Sequence, residues 1–200
     1  MLDHFVKETP MALALRIGAP YLSVLIFWVW LENGLLALLA YHAQILFWAI
    51  QSQKPNFSIS KQALGVVTPT AFCGVVTYFF LPYLVKLPVS EWLARFKVTG
   101  VTLSFLVPYF GVIHPFLEQA HWRPICQGMR LGHWFFAGYH MLVIHSLLSL
   151  PWLIISFFLL TAVSYLWSYL ARKEGSYFPS TLIHICADFG MILAVWLLVS

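Results

Sequence analysis

Apolar runs of about twenty residues, parted by short polar breaks, recur from residue 13 to residue 199, and nothing constrains the fold of this chain more. About twenty apolar residues at a rise of 1.5 Å each cross the ~30 Å hydrocarbon core of a bilayer as a helix. Inside that core only helices and closed barrels satisfy their own backbone polar groups. With 61% apolar and 9% charged residues and a mean hydropathy of +0.83, the chain lies outside the soluble class, where about a quarter of residues are charged. The expected fold is all-α, a polytopic transmembrane helical bundle of about seven spans (six to eight), and residues 1–200 form a single integral membrane domain.

Taken in order, runs at 13–31 and 35–50 flank Glu32-Asn33-Gly34 and read as a tight hairpin. A polar loop over 51–62 carries Pro55 as its breaker, and a third span follows at 63–85. Residues 86–97 alternate charge with Leu87, Val89, Trp92, Leu93 and Phe96, the pattern of a short amphipathic helix lying on the membrane surface. The fourth span is 98–117, closed by Glu118 and a polar segment to Arg130; the fifth is 131–150, the sixth 151–170 and the seventh 178–199.

Seven spans with the N-terminus inside put Lys7, Arg16, Lys54, Lys61, Arg123, Arg130, Arg172 and Lys173 on the cytoplasmic side, against Lys86, Arg95 and Lys97 outside. The bias matches the positive-inside rule and predicts a multi-pass cell-membrane protein with its C-terminus outside. The first residues lack a basic n-region and a small-residue cleavage site, so they are expected to stay in the mature chain. Cys73, Cys126 and Cys186 form no CxxC or CxxH pattern and are expected to be small apolar fillers, not disulfides or thiolate metal ligands. The net charge of +4 is what cytoplasmic loops require and implies no nucleic acid.

Ionisable groups within such runs are costly, roughly 2.5 to 3.5 kcal/mol for a charge at mid-span, and so mark functional positions. Three runs carry them. Glu118 ends the fourth, followed by Gln119 and Arg123, one turn apart; His140 stands one turn after Phe136 on the fifth; His184 and Asp188 share a face of the seventh. A carboxylate beside a neutral imidazole can hold and deprotonate a water, and a second imidazole with a further polar group can stabilise the oxyanion on an attacked carbonyl. That is a hydrolase without a Ser or Cys nucleophile. The remaining imidazoles read blandly: His114, His121 and His133 as interfacial, His145 as pointing away, His42 as a helix-to-helix contact. Trp28, Trp30, Trp122, Trp134, Trp152 and Trp167 read as an interfacial belt or lipid-facing surface.

The order and spacing Glu118-Gln119-x-x-x-Arg123, Phe136-x-x-x-His140, His184-x-x-x-Asp188 resembles the EExxxR, FxxxH and HxxxN/D motifs of the CAAX protease and bacteriocin-processing family, also called Abi. The motifs fall within 98–199, and the approach Arg172-Lys-Glu-Gly-Ser-Tyr-Phe-Pro-Ser-Thr-Leu-Ile-His184 is similar too; the first hundred residues match only in hydropathy. The resemblance implies a glutamate-dependent intramembrane endopeptidase with Glu118 as general base, His140 assisting it, His184 and Asp188 on the oxyanion side and Arg123 structural. Implied substrates are prenylated protein C-termini, peptide precursors and C-terminal sorting tails. Gln119 replaces the second Glu. Asp188 stands where the family's eukaryotic-type enzymes have Asn, and either carries a proton or orients His184.

Three rival readings use the same residues. Glu118, His140, His184 and Asp188 make a two-His, two-carboxylate zinc set; His140 and His184 are conceivable haem ligands; and an immunity or scaffold protein would keep the fold without cutting. The endopeptidase reading expects no cofactor.

Overall fold

A computed structural model describes residues 9–51, 60–70 and 72–200, with 61–63 and 68 described by backbone alone. The first eight residues and most of the expected 51–62 loop, with Pro55, lie outside the described residues. Helix α1, Pro10–Trp30, starts with Thr9 Oγ1 accepting from the Ala12 N–H (3.2 Å) and Pro10 preset in the first turn. Past Pro20, which cannot donate to the carbonyl four residues back, it widens into a π-helix over Val24–Trp30. Glu32 turns the chain in the left-handed region (φ 47°), and Asn33 Oδ1 accepts from the Leu36 N–H (3.1 Å) to cap α2, Gly34–Gln51. The expected hairpin is therefore present.

Then follow α3 (Lys61–Thr70), α4 (Cys73–Leu84), α5 (Val89–Arg95), α6 (Gly100–Gly128), α7 (Gly132–Ile144), α8 (Leu150–Glu174) and α9 (Phe178–Val199). Helix α6 carries a π segment, Tyr109–Ile113, directly after Pro108, repeating the pattern of α1. Gly175 closes α8 in the left-handed conformation (φ 62°) that glycine adopts at no steric cost. Among the described residues there is no strand, only one isolated bridge between Val85 and Leu148.

Five helices, α1, α2, α6, α8 and α9, are long and apolar enough to cross a membrane. The expected run 63–85 is instead two helices, parted after Pro69, and run 131–150 yields only the 13 residues of α7, about 20 Å at 1.5 Å each. The expected end of the fourth span at residue 117 is also corrected. The helix runs on to Gly128, because Glu118, Gln119, His121 and Arg123 are buried among neighbouring helices and do not mark an exit into water.

Other expectations change for the same reason. Helix α5 is the expected short amphipathic helix, with Ser90, Glu91, Ala94 and Arg95 exposed, but its apolar face meets protein: Val89, Trp92 and Leu93, with Phe96, close one end of the bundle against Leu103, Leu147 and Leu148. There Trp28 stacks on Phe96 (3.9 Å between centroids) and Trp92 Nε1 donates to Ser146 Oγ (3.0 Å). Trp122 and Trp167, expected in an interfacial belt, are core residues, whereas Trp30, Trp134 and Trp152 are exposed. His114, His121 and His133 are buried, not interfacial. Arg16 and Arg123 are buried as well, and so are not loop charges. Arg16 donates to the carbonyl of His121 (2.9 Å) and reaches that of Ala120 (3.5 Å), the carbonyl that Pro124 leaves without a helical donor.

Contacts between segments far apart in sequence sort the turns onto two ends. At one, Arg95 pairs with Glu32, which holds the Glu32 carboxyl below its usual range, and Lys86 Nζ donates to the His145 carbonyl (2.8 Å). At the other, Ser60 donates to Glu174 (2.6 Å) and Tyr165 to the Arg130 carbonyl (3.3 Å). Helix α9 packs against α4 and α6 at near-contact of backbones: a Cβ on Gly74 would lie 2.5 Å from the Gly190 carbonyl oxygen, and one on Gly111 would lie 3.0 Å from Phe189 Cα. Phe79, Phe105, Phe158 and Leu197 face outward, as a lipid-facing surface requires.

Candidate active site

Glu118 sits on α6 one turn past the π segment and is 1% exposed. A carboxylate so placed needs donors in place of water. Two phenols supply them: Tyr41 of α2 donates to Oε1 (2.5 Å), and Tyr139 of α7 donates to the same oxygen. The two hydroxyls are 3.1 Å apart, Trp122 Nε1 donates to that of Tyr41 (3.3 Å), and the Trp122 ring stacks parallel on Tyr139. Oε2 has no hydrogen-bond partner among the described residues and faces His184 Nε2 at 3.6 Å. The two oxygens are thereby made unequal, one held by donors and the other buried without a donor.

His140 Nδ1 lies 2.8 Å from the Phe136 carbonyl, one turn back, and Nε2 lies 3.1 Å from the Tyr139 hydroxyl. Phe136 thus holds His140 through its backbone, and also through its ring (4.7 Å between centroids). The Tyr139 hydroxyl, its one proton given to Glu118, lies between Glu118 and His140. His184 on α9 has Nε2 3.1 Å from Asp188 Oδ2, Nδ1 3.2 Å from Gln119 Nε2, and its ring against Trp167 (4.3 Å). Arg123 donates to Gln119 Oε1, to Ser168 Oγ (2.8 Å) and to Ser180 Oγ (3.3 Å), tying α6 to α8 and α9. Asp188 is partly open, with its side chain 19% accessible.

All seven residues singled out by spacing thus fall in one buried cluster. Three further members were missed. Tyr41 comes from the half of the chain where no motif was read, and Tyr139 sits unremarked beside His140. His114 Nε2 lies 3.5 Å from Glu118 Oε1, and its Nδ1 lies 2.8 Å from His42 Nε2. The signal for His114 was available, since it precedes Glu118 by the same four residues that join His184 to Asp188; it was lost by ending the helix too early. Among the described residues no group of three or more His, Cys, Asp or Glu is arranged to hold a metal ion.

The Arg123 contacts make a prediction. Arg123→Lys keeps the charge but cannot span three acceptors from one planar fork. It is expected to lower stability by roughly 1 to 3 kcal/mol, the range for lost hydrogen bonds to a charged group, measured by thermal unfolding in detergent.

No protein-family model matches this chain, and neither a curated protein nor a solved structure matches it. The reading of the site therefore stands on its own residues and on the motif resemblance.

Proposed function

We propose that this chain is a multi-pass intramembrane endopeptidase in which Glu118, assisted by His140, activates a water to cleave membrane-associated peptide or protein substrates. The observation that carries the reading is the unpartnered Oε2 of a fully buried Glu118 beside a second imidazole-carboxylate pair. A water at Oε2 gives its proton to the carboxylate as its oxygen bonds to the scissile carbonyl carbon. The carbonyl oxygen becomes an oxyanion on the His184 side, where an N–H donor stabilises it. When the C–N bond breaks, the proton held by Glu118 passes to the leaving nitrogen. In this reading His140 Nε2, 3.1 Å from the Tyr139 hydroxyl, accepts from the same water.

The substrate classes are those the resemblance implies: prenylated protein C-termini, peptide precursors or C-terminal sorting tails, held against the lipid bilayer. The chemistry draws on no cofactor and no nucleic acid. Counting the α3–α4 pair and α7 with the five long helices gives seven crossings, with the N-terminus cytoplasmic and the C-terminus outside the cell membrane. The sorting of turns onto two ends supports this count, as does the charge bias: with Arg16 and Arg123 set aside, Lys7, Lys54, Lys61, Arg130, Arg172 and Lys173 still oppose Lys86, Arg95 and Lys97.

Cysteine introduced at Lys173 is expected to react with an impermeant maleimide only after the cytoplasmic side is opened; labelling of intact cells would reverse the topology. The activity is tested by comparing membrane-protein termini, by mass spectrometry, in cells carrying wild type or Glu118→Ala at matched expression. Termini that vanish only in the variant establish proteolysis and name the substrate. Unchanged termini, with Glu118→Ala still rescuing a deletion phenotype, would replace the endopeptidase with the scaffold reading.

A further inference from the structure

The imidazoles around Glu118 do not present the same chemistry to it, and the difference traces to Gln119. A neutral imidazole carries one N–H, and the partner of one nitrogen dictates the state of the other. In His42 and His140, Nδ1 lies 2.8 Å from the carbonyl four residues back, of Leu38 and Phe136. A carbonyl only accepts, so Nδ1 holds the proton in both rings and Nε2 is a bare lone pair. That is the ordinary arrangement for a histidine bonded to its own helix.

His184 departs from it. Its Nδ1 turns to another helix and meets the side-chain amide of Gln119 at 3.2 Å. The orientation of that amide is set by Arg123, a guanidinium with donors only, which bonds one amide atom; that atom is therefore the oxygen, and the Ser180 hydroxyl lies 3.4 Å from it. The NH₂ group then faces His184 and donates to Nδ1. The proton of neutral His184 must lie on Nε2, which faces Asp188 Oδ2 at 3.1 Å and the unpartnered oxygen of Glu118 at 3.6 Å.

We propose that Gln119 is a positioning residue that, itself oriented by Arg123, holds His184 in the Nε2–H tautomer and so makes it the hydrogen-bond donor of the site while His140 remains an acceptor. Its catalytic consequence rests on the endopeptidase reading; its geometry does not. In the resting site Asp188 Oδ2 accepts from that N–H and so orients His184, the second of the two roles left open by the sequence. A glutamate at position 119, as in the motif the chain resembles, would accept from Nδ1–H instead, and only a doubly protonated His184 would still donate from Nε2. The departure from the motif is thus a way of keeping a neutral imidazole as donor.

Solid-state ¹⁵N NMR of the full-length, histidine-labelled chain in liposomes at neutral pH reads the tautomers without any substrate. The His184 signals are identified by their loss in His184→Asn, and those of His140 by their loss in His140→Asn. The expected wild-type result is Nε2–H for His184 and Nδ1–H for His140. Gln119→Met, which keeps size and removes the donor, is expected to shift His184 out of the Nε2–H form and to slow cleavage by about 100-fold, the scale of losing one oxyanion donor. Gln119→Glu is expected to give Nδ1–H or a doubly protonated ring, with His140 unchanged. A wild-type His184 bearing its proton on Nδ1, or a Gln119→Met spectrum still showing Nε2–H, would overturn the proposal. Should Gln119→Met not fold, the wild-type spectrum decides. Correct tautomers in a protein that cuts nothing would sink the endopeptidase reading alone.

Discussion

Glu118→Gln is expected to reduce cleavage by roughly 10³- to 10⁴-fold, the upper range for loss of a positioned general base, while the protein folds and resists heat at least as well as wild type. The two outcomes belong together. The glutamine oxygen can keep the donors from Tyr41 and Tyr139 that now meet Oε1, so the links from α6 to α2 and α7 survive. What changes is the second position, where an unpartnered carboxylate oxygen becomes an amide that cannot take a proton from water. A buried charge is also removed, which relieves a desolvation cost. The assay is cleavage of whichever substrate the terminus comparison reveals, run beside a thermal melt of both proteins. Retained cleavage with an intact melt would remove Glu118 from the chemistry. A collapsed melt would show that the carboxylate is a structural group first.

Gly74→Val is expected to be the most damaging substitution away from the site, costing about 3 kcal/mol, the upper end for overpacking a close-packed interior. The atoms in the way are backbone: a Cβ at Gly74 would lie 2.5 Å from the carbonyl oxygen of Gly190, 2.7 Å from its carbonyl carbon and 2.7 Å from its Cα. No rotamer change relieves that, so α4 and α9 must separate. Because His184 and Asp188 ride on α9, the same displacement moves them relative to Glu118, and activity is expected to fall even in the fraction that folds. Gly18 is the control: nothing lies within 4 Å of a Cβ there, and Gly18→Ala in a helix interior is expected to be neutral or to stabilise by up to about 1 kcal/mol. Equal melting temperatures for Gly74→Val and wild type would mean that the two helices do not meet as closely as described.

Much of the site was legible because chemistry left a mark that hydropathy cannot explain. Glu118, His140, His184 and Asp188 each interrupt apolar sequence at helical spacing, and groups that are costly in lipid point to partners. Tyr41, Tyr139 and His114 leave a weaker mark. Tyrosine sits at little cost near membrane interfaces and in cores alike, so nothing in the sequence distinguishes the Tyr41 that touches Glu118 from the exposed Tyr83. His114 was obscured by a boundary error, and that error has one cause. Reading polarity as exit from the membrane assumes that polar residues seek water, but Glu118, Gln119 and Arg123 find partners on other helices. Arg123 shows it best, a guanidinium held by Gln119, Ser168 and Ser180 with no carboxylate among the described contacts.

The sequence by itself determined that the chain is helical and membrane-bound, where most turns fall, and which ionisable residues are too costly to be incidental. Those follow from local quantities: run length, charge density and spacing along a helix. Tertiary structure alone decided which apolar runs break or fall short, how two phenols distinguish one oxygen of Glu118 from the other, and how Arg123 acts through Gln119 to orient His184. The reason is distance along the chain. Tyr41 and Glu118 are 77 residues apart, and Gln119 and His184 are 65 apart, so their meeting depends on how helices pack, and small residues such as Gly74 and Gly190 set that packing without any chemistry of their own.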